Sequence, residues 1–98
     1  MGASWSIETH SDAEFLALES EGAPSVHLTY GSSGRVFEAA GFVPDYDSYW
    51  FDIPADRCAE AALQLRVAAV LDSGFWQASA VAEVLEAAVR LGRGVSAA

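Results

Sequence analysis

Alternating apolar and polar positions predict two β-strands in the first third of the chain. Residues 4–8 read S-W-S-I-E, and residues 26–30 read V-H-L-T-Y. Because successive side chains of a strand point to opposite faces, each segment has one apolar and one polar face. A third strand is predicted over residues 47–53, with its odd-numbered aromatic and aliphatic side chains facing a core.

Helical periodicity predicts one helix near the N-terminus and two near the C-terminus. The first, over residues 12–21, follows a capping box in which the Ser11 hydroxyl accepts a hydrogen bond from the Glu14 amide. The second covers residues 55–72 after a proline, and the third covers residues 77–91. This last helix is apolar around most of its circumference, so we expect it to be buried on more than one side.

The remaining segments carry weaker signals. Residues 31–34 read G-S-S-G, which predicts a flexible break. Residues 35–40 suit either a second hairpin arm or a two-turn helix ended by Gly41. We prefer the helix because E-A-A-G is typical of a helix end. Residues 92–98 are predicted to form a frayed tail.

Together these elements predict an α+β fold. A small three- to four-stranded sheet is packed by an N-terminal helix and two C-terminal helices. The chain of 98 residues suits a single domain, residues 1–98.

The charge is strongly negative and unevenly distributed. The chain has 14 Asp and Glu residues against five arginines and no lysine, a formal net charge of -9. Residues 1–56 hold ten of the acids and one arginine, whereas residues 57–98 hold four of each. This balance excludes a sequence-independent nucleic-acid binder, which neutralises phosphates with Lys and Arg. It favours a protein partner with a basic surface.

Groups that could carry catalysis or hold a metal are few. His10, His27 and Cys58 show no metal-ligand spacing, and two histidines with one cysteine do not complete a closed zinc site. A nucleophilic pair of Cys58 with His27 would need an exposed thiol, which the helical position of Cys58 argues against. We therefore expect no catalytic residue, no cofactor and no metal.

Two further features predict the compartment. A single cysteine is typical of a reducing compartment. The first residues lack the charged and apolar regions of a signal peptide, and no segment has the apolar length of a membrane span. We expect a cytoplasmic protein that does not contact membranes.

The polar face of the third predicted strand is the strongest candidate binding site. It carries Tyr46, Trp50 and Asp52, with Asp45 and Asp47 beside them. Trp and Tyr are enriched among the residues that dominate binding energy, and acidic neighbours accelerate encounter with a basic partner. If helices cover both faces of the sheet, however, Trp50 belongs to the core instead.

The apolar C-terminal helices offer a second candidate surface. Val84, Leu85 and Ala88 are candidates for a homodimer interface, together with Arg66, which lies within an apolar arc of its helix. Arg66 could also extend to solvent or pair with a buried acid such as Asp52.

Three classes of function fit these observations. The first is a small acidic inhibitor of the immunity-protein, antitoxin or phage anti-defence (anti-CRISPR) type. As a nucleic-acid mimic, it would block a basic nucleic-acid-binding surface of a target protein. The alternative is a non-catalytic accessory or homodimeric structural subunit that associates through its C-terminal helices. A small enzyme or ligand-binding domain ranks third, since no cleft or catalytic constellation is evident.

Overall fold

A computed structural model describes residues 2–45, 47 and 50–98 of the chain, and in these residues it has one four-stranded sheet and four α-helices. The strands are β1 (Gly2–Ile7), β2 (Val26–Thr29), β3 (Phe51–Ile53) and β4 (Val95–Ala97). The helices are α1 (Asp12–Ser20), α2 (Tyr30–Ala39), α3 (Cys58–Leu71) and α4 (Trp76–Leu91), and a 3-10 turn, Ala55–Arg57, leads into α3. The strand order is β2-β1-β4-β3, and all pairs are antiparallel. The predicted α+β fold is confirmed.

The core lies between one face of the sheet and the helices α2 and α4, and it extends to the inner side of α3. Trp5 stacks on Phe51 with ring centroids 6.0 Å apart, and Phe37 of α2 meets Phe51 edge-on at 5.5 Å. The indole N–H of Trp5 donates to Ser33 Oγ at 3.0 Å, so the polar group of the largest core side chain is satisfied. The alternation in β1 therefore predicts its buried face correctly.

Helix α2 corrects the prediction of a flexible break at residues 31–34. The preferred helix over 35–40 exists, but it begins five residues earlier, at Tyr30. The Thr29 hydroxyl accepts a hydrogen bond from the Ser32 amide at 3.1 Å and caps the first turn. Ser33 and Gly34 are buried against the sheet. Close packing of these small residues outweighs the poor helix propensity of glycine.

Strand β4 corrects the prediction of a frayed tail over residues 92–98. Val95–Ala97 lies between β1 and β3, with Val95 and Ala97 buried. Gly92 ends α4 with a φ of 67°, a left-handed conformation that glycine adopts without strain. At Gly94 an added Cβ would lie 2.8 Å from the carbonyl oxygen of Ile53, so the chain enters the sheet through a space that only glycine fits.

Strand β3 is shorter than the strand predicted over 47–53. It covers Phe51–Ile53, and Asp47 lies in a turn where its amide donates to Asp45 Oδ1 at 3.1 Å. Local hydrogen bonding of this kind competes with strand pairing, which explains the late start of β3. Tyr49, which we expected to face the core, lies outside the described residues.

The two C-terminal helices pack as a hairpin on the inner side of the sheet. Helix α4 contacts β1, β2 and β4, whereas α3 packs chiefly against α4 and α2. Helix α1 has no buried residue and contacts the core through Leu18. The predicted cap is confirmed, since Ser11 Oγ accepts from the Glu14 amide at 3.2 Å.

Candidate functional site

The outer face of the sheet, opposite α2 and α4, consists of polar side chains that are exposed or half-buried. We call it the open face and define it by five outward side chains: Ser4 and Ser6 of β1, His27 of β2, Asp52 of β3 and Ser96 of β4. The strand register places Ser4 opposite His27, and it places Ser96 between Ser6 and Asp52. These residues form a polar surface across all four strands.

Asp52 accepts two side-chain hydrogen bonds at the β3 side of the open face. Its Oδ1 accepts a hydrogen bond from Ser96 Oγ at 2.7 Å, and its Oδ2 accepts one from the indole N–H of Trp50. The Trp50 ring is nevertheless 54% exposed. The expectation that Trp50 would be core under a second helical layer is therefore wrong, because the helices α2 and α4 lie on the other side of the sheet.

Four of the five candidate partner-binding residues are described, and they form two hydrogen-bonded pairs: Trp50 with Asp52, and Asp47 with Asp45. Asp47, Trp50 and Asp52 are exposed, as is Asp45, whose carboxylate is bound to the Asp47 amide. Tyr46, the remaining candidate, lies outside the described residues. We call Asp45, Asp47, Trp50 and Asp52 the acidic margin. It combines one exposed aromatic ring with three carboxylates.

Most of the arginines are paired elsewhere in the described part of the chain. Four pairs have N–O distances between 2.7 and 4.0 Å: Arg35–Asp72, Arg57–Glu60, Arg66–Glu86 and Arg93–Glu14. None of these four pairs involves the acidic margin. Because paired charges largely cancel at a distance, the negative field of the protein originates from acids such as those of the margin.

A second hydrogen-bonded pair lies at the opposite end of the open face. Ser4 Oγ is 2.9 Å from Nδ1 of His27, a distance that suits a nucleophile and its base. Both side chains lie on an exposed sheet surface rather than in a cleft. The alternation in the sequence places His27, Ser4 and Ser6 on polar strand faces, but it gives no indication of Ser96.

Cys58 is buried at the start of α3 and is not a reactive thiol. Its Sγ lies 3.4 Å from the Pro54 carbonyl oxygen and 3.7 Å from those of Ile53 and Arg93. Burial, assisted by the negative charge of Glu8, raises the thiol pKa to about 11. Since the thiolate is the nucleophilic form, this environment gives Cys58 a structural role.

The prediction that residues of α4 form an oligomer interface is wrong. Val84, Leu85 and Ala88 are all buried beneath the sheet and α3, so no second molecule can reach them. The broad apolar circumference of α4 is explained by contacts within one molecule.

Arg66, the fourth candidate for that interface, pairs with an acid other than Asp52. Its Nε and Nη2 donate to the two carboxylate oxygens of Glu86 on α4, at 3.0 and 2.7 Å. The hydrogen bond from Arg66 lowers the pKa of Glu86, and the same contact raises the pKa of Arg66. Both side chains are 41% exposed.

The cavities of the molecule are small or shallow. The one beside α1 has a volume of about 80 Å³ and is lined in part by Phe15, Leu18 and Pro24. That volume is well below the ~300 Å³ at which ligand pockets begin. Among residues 2–45, 47 and 50–98, no group of three His, Cys, Asp or Glu side chains could hold a metal ion. The helices described are too short or too polar to cross a membrane.

Comparisons with known proteins identify no relative. No protein-family model matches the sequence, and neither a curated protein nor a solved structure matches it.

Proposed function

We propose that the chain is a non-catalytic, stoichiometric inhibitor that binds a basic, nucleic-acid-binding surface of a target protein. The proposal includes the immunity-protein, antitoxin and phage anti-defence types. The observation that carries it is the acidic margin: an exposed tryptophan is hydrogen-bonded to Asp52 at the edge strand of the sheet, and the exposed Asp45 and Asp47 precede it in the chain.

The side-chain arrangement at the margin supports binding by a rigid surface. Asp52 accepts hydrogen bonds from the Trp50 indole and the Ser96 hydroxyl, and these contacts favour one orientation of each side chain. A pre-ordered aromatic anchor reduces the entropy lost on association. Trp is also the residue type most enriched among those that dominate interface energies.

The charge of the margin supports the choice of partner. Carboxylates on an arginine-poor surface can occupy positions that phosphates would take on a nucleic-acid-binding protein. The arginines in the described ion pairs are held by acids outside the margin, so they do not neutralise it. A basic target would be attracted over several ångströms, and the attraction would weaken with salt.

A cytoplasmic location is part of the proposal. The single, buried thiol of Cys58 suits a reducing compartment, and nucleic-acid-handling targets are abundant in the cytoplasm.

The test compares two triple variants that remove the same charge. Asp45→Asn, Asp47→Asn and Asp52→Asn neutralise the margin, whereas the control neutralises three exposed acids away from it: Glu21→Gln, Glu38→Gln and Glu83→Gln. Each tagged protein is used to capture partners from its native host, with elution in steps of rising salt and identification by mass spectrometry. We expect a basic nucleic-acid-binding protein to be captured by the wild type and the control, and lost from the margin variant.

Two results would contradict the proposal. Equal loss from both triple variants would mean that net charge alone attracts the partner. Retention by the margin variant would remove the acidic margin from the binding site. A further variant, Trp50→Ala, tests the aromatic anchor, and we expect it to weaken capture by at least about thirtyfold, the effect of a dominant interface residue.

A further inference from the structure

Helix α3 has an apolar surface on the side that faces away from the molecule. Leu63, Val67, Val70 and Leu71 are all exposed, with fractions between 51% and 84%. Residues at spacings of i, i+4, i+7 and i+8 share one side of a helix. We call these four residues the α3 stripe. The inner side of the same helix is also apolar, with Cys58, Ala61, Ala62 and Leu65 buried.

The α3 stripe is a contiguous apolar surface that continues onto α4. Val89, which is 42% exposed, lines the same groove as Leu63. A contiguous patch of several exposed aliphatic side chains is the kind of surface that marks an interaction site. A stable dimer of standard size buries about 800 Å² from each partner. The stripe would form the apolar centre of such an interface, and the polar side chains around it would supply the rest of the area.

The shape of this surface is suited to packing against a second helix. A shallow groove of about 280 Å³ lies between α3 and α4, lined in part by Ala59, Leu63 and Val89. A second hollow of about 260 Å³ lies along α3 beside Val67 and Val70. Ridges of exposed side chains next to hollows are the features that interlock when two helices pack.

The charge of this surface favours a second copy of the chain as its binding partner. A protein with a net charge of -9 repels its own copies over most of its surface, but the α3 stripe adjoins a neutral ion pair, Arg66 with Glu86. The part of the chain that forms α3 and α4, residues 57–98, has equal numbers of acids and arginines. A basic partner would find no net charge to recognise here, whereas a second copy meets the least repulsion.

We propose that the chain forms a two-fold symmetric homodimer in which the α3 stripes of two copies pack against each other. Helix α3 lies on the helical side of the sheet, so the open face of each copy stays uncovered in the dimer. This inference is independent of the proposed inhibitor function, and either can fail without the other.

Two leucine variants provide a matched test. Leu63→Glu places a charge in the stripe, and Leu16→Glu places the same charge on α1, where the leucine is 62% exposed against 66% for Leu63. Sedimentation equilibrium of the full chain, from about 1 to 500 µM, gives the dimer dissociation constant. We expect Leu63→Glu to raise that constant at least about thirtyfold and Leu16→Glu to change it less than about twofold.

The proposal is overturned if the wild type is monomeric over the whole concentration range. It is also overturned if the two variants have equal effects, because association would then use another surface or respond to charge alone. Far-UV circular dichroism checks that each variant is folded.

A crosslinking measurement covers the case in which Leu63→Glu does not fold. Val67 lies at the middle of the stripe, so in a two-fold dimer it meets Val67 of the other copy. With a disulfide reagent such as oxidised glutathione added as the oxidant, we expect Val67→Cys to form a disulfide-linked dimer at least about tenfold faster than Leu16→Cys, because pairing holds the thiols together. The native Cys58 is buried and does not compete. Equal rates would overturn the proposal.

Discussion

The open face and the α3 stripe are both exposed, yet they differ in every chemical respect. The open face is polar, and its side chains are joined by hydrogen bonds such as Ser96 to Asp52. The α3 stripe is aliphatic, and the charges beside it cancel in the Arg66–Glu86 pair. One molecule can therefore present a surface suited to a charged partner and another suited to its own copy.

The comparison also shows that hydropathy alone does not predict exposure. Both C-terminal helices are rich in apolar residues, but those of α4 are largely buried under the sheet whereas α3 is apolar on two sides and buried on one. The sequence predicts an interface on the more apolar helix. The structure instead leaves aliphatic side chains exposed on the other helix.

The largest expected effect is on stability, and it comes from comparing a leucine on the buried side of the α3–α4 hairpin with one on its exposed side. Leu85→Ala should lower the free energy of unfolding by about 2–5 kcal/mol, because Leu85 is fully buried and its loss leaves a cavity. Leu63→Ala should change it by less than about 0.5 kcal/mol. Urea unfolding at a dilution that keeps the chain monomeric measures both. Similar losses would mean that Leu63 belongs to the core.

A second effect compares thiols on the two sides of α3. Cys58 faces inward with a pKa of about 11, so at pH 8 its thiolate is rare. An introduced Leu63→Cys would face solvent on the same helix. We expect the exposed thiol to react with a disulfide reagent at least about 100-fold faster than Cys58, as followed by absorbance. Comparable rates would contradict the buried position of Cys58.

A third effect compares the two faces of the sheet. Ser33→Ala removes the acceptor of the buried Trp5 indole N–H, and we expect a loss of about 1–3 kcal/mol in unfolding free energy. Ser4→Ala removes a hydroxyl from the open face, where water replaces the lost contact, so we expect less than about 0.5 kcal/mol. Equal effects would show that the open face is covered.

The smallest effect tests the neutral pair beside the α3 stripe. Because Arg66 lowers the pKa of Glu86, the pair stabilises the fold above the ordinary glutamate pKa of about 4.3. That stabilisation is lost as pH falls through the lowered native value. Partial exposure and screening limit it to below about 1 kcal/mol.

The measurement is the free energy of unfolding between neutral and acidic pH. The advantage of the wild type over Arg66→Met should disappear on acidification. Arg90→Met, which removes an arginine that influences Glu86 only through space, should retain most of the acid dependence. If the difference in unfolding free energy between the wild type and Arg66→Met does not change with pH, Arg66 stabilises the fold through its aliphatic stem and not through its charge.

The fold could be predicted where the local pattern and the tertiary structure agree. In β1 the alternation of Trp5 and Ile7 with serines marks the buried face, and Ser11 marks the start of α1. Val95 and Ala97 were missed because a three-residue strand has too few positions to show a period. The G-S-S-G segment was missed because its helix depends on a distant indole, that of Trp5.

The candidate site was predicted in part for a similar reason. Trp50 and Asp52 are two residues apart, so their contact could be expected from the chain. Ser96 reaches Asp52 only through strand pairing across 44 residues, and no local signal indicates that contact. Arg66 was recognised as unusual, but its partner Glu86 lies on another helix.

The position of β4 has a consequence for how the protein is made. β1 is synthesised well before β4, yet its register with β4 joins Trp5 to Ala97 and Ile7 to Val95. β3 likewise pairs with β4, so neither strand completes its pairing until residues 95–97 have left the ribosome. In that interval a nascent chain displays an unpaired apolar strand to its neighbours, a state prone to aggregation. The yield of folded protein should therefore respond to the supply of chaperones during synthesis.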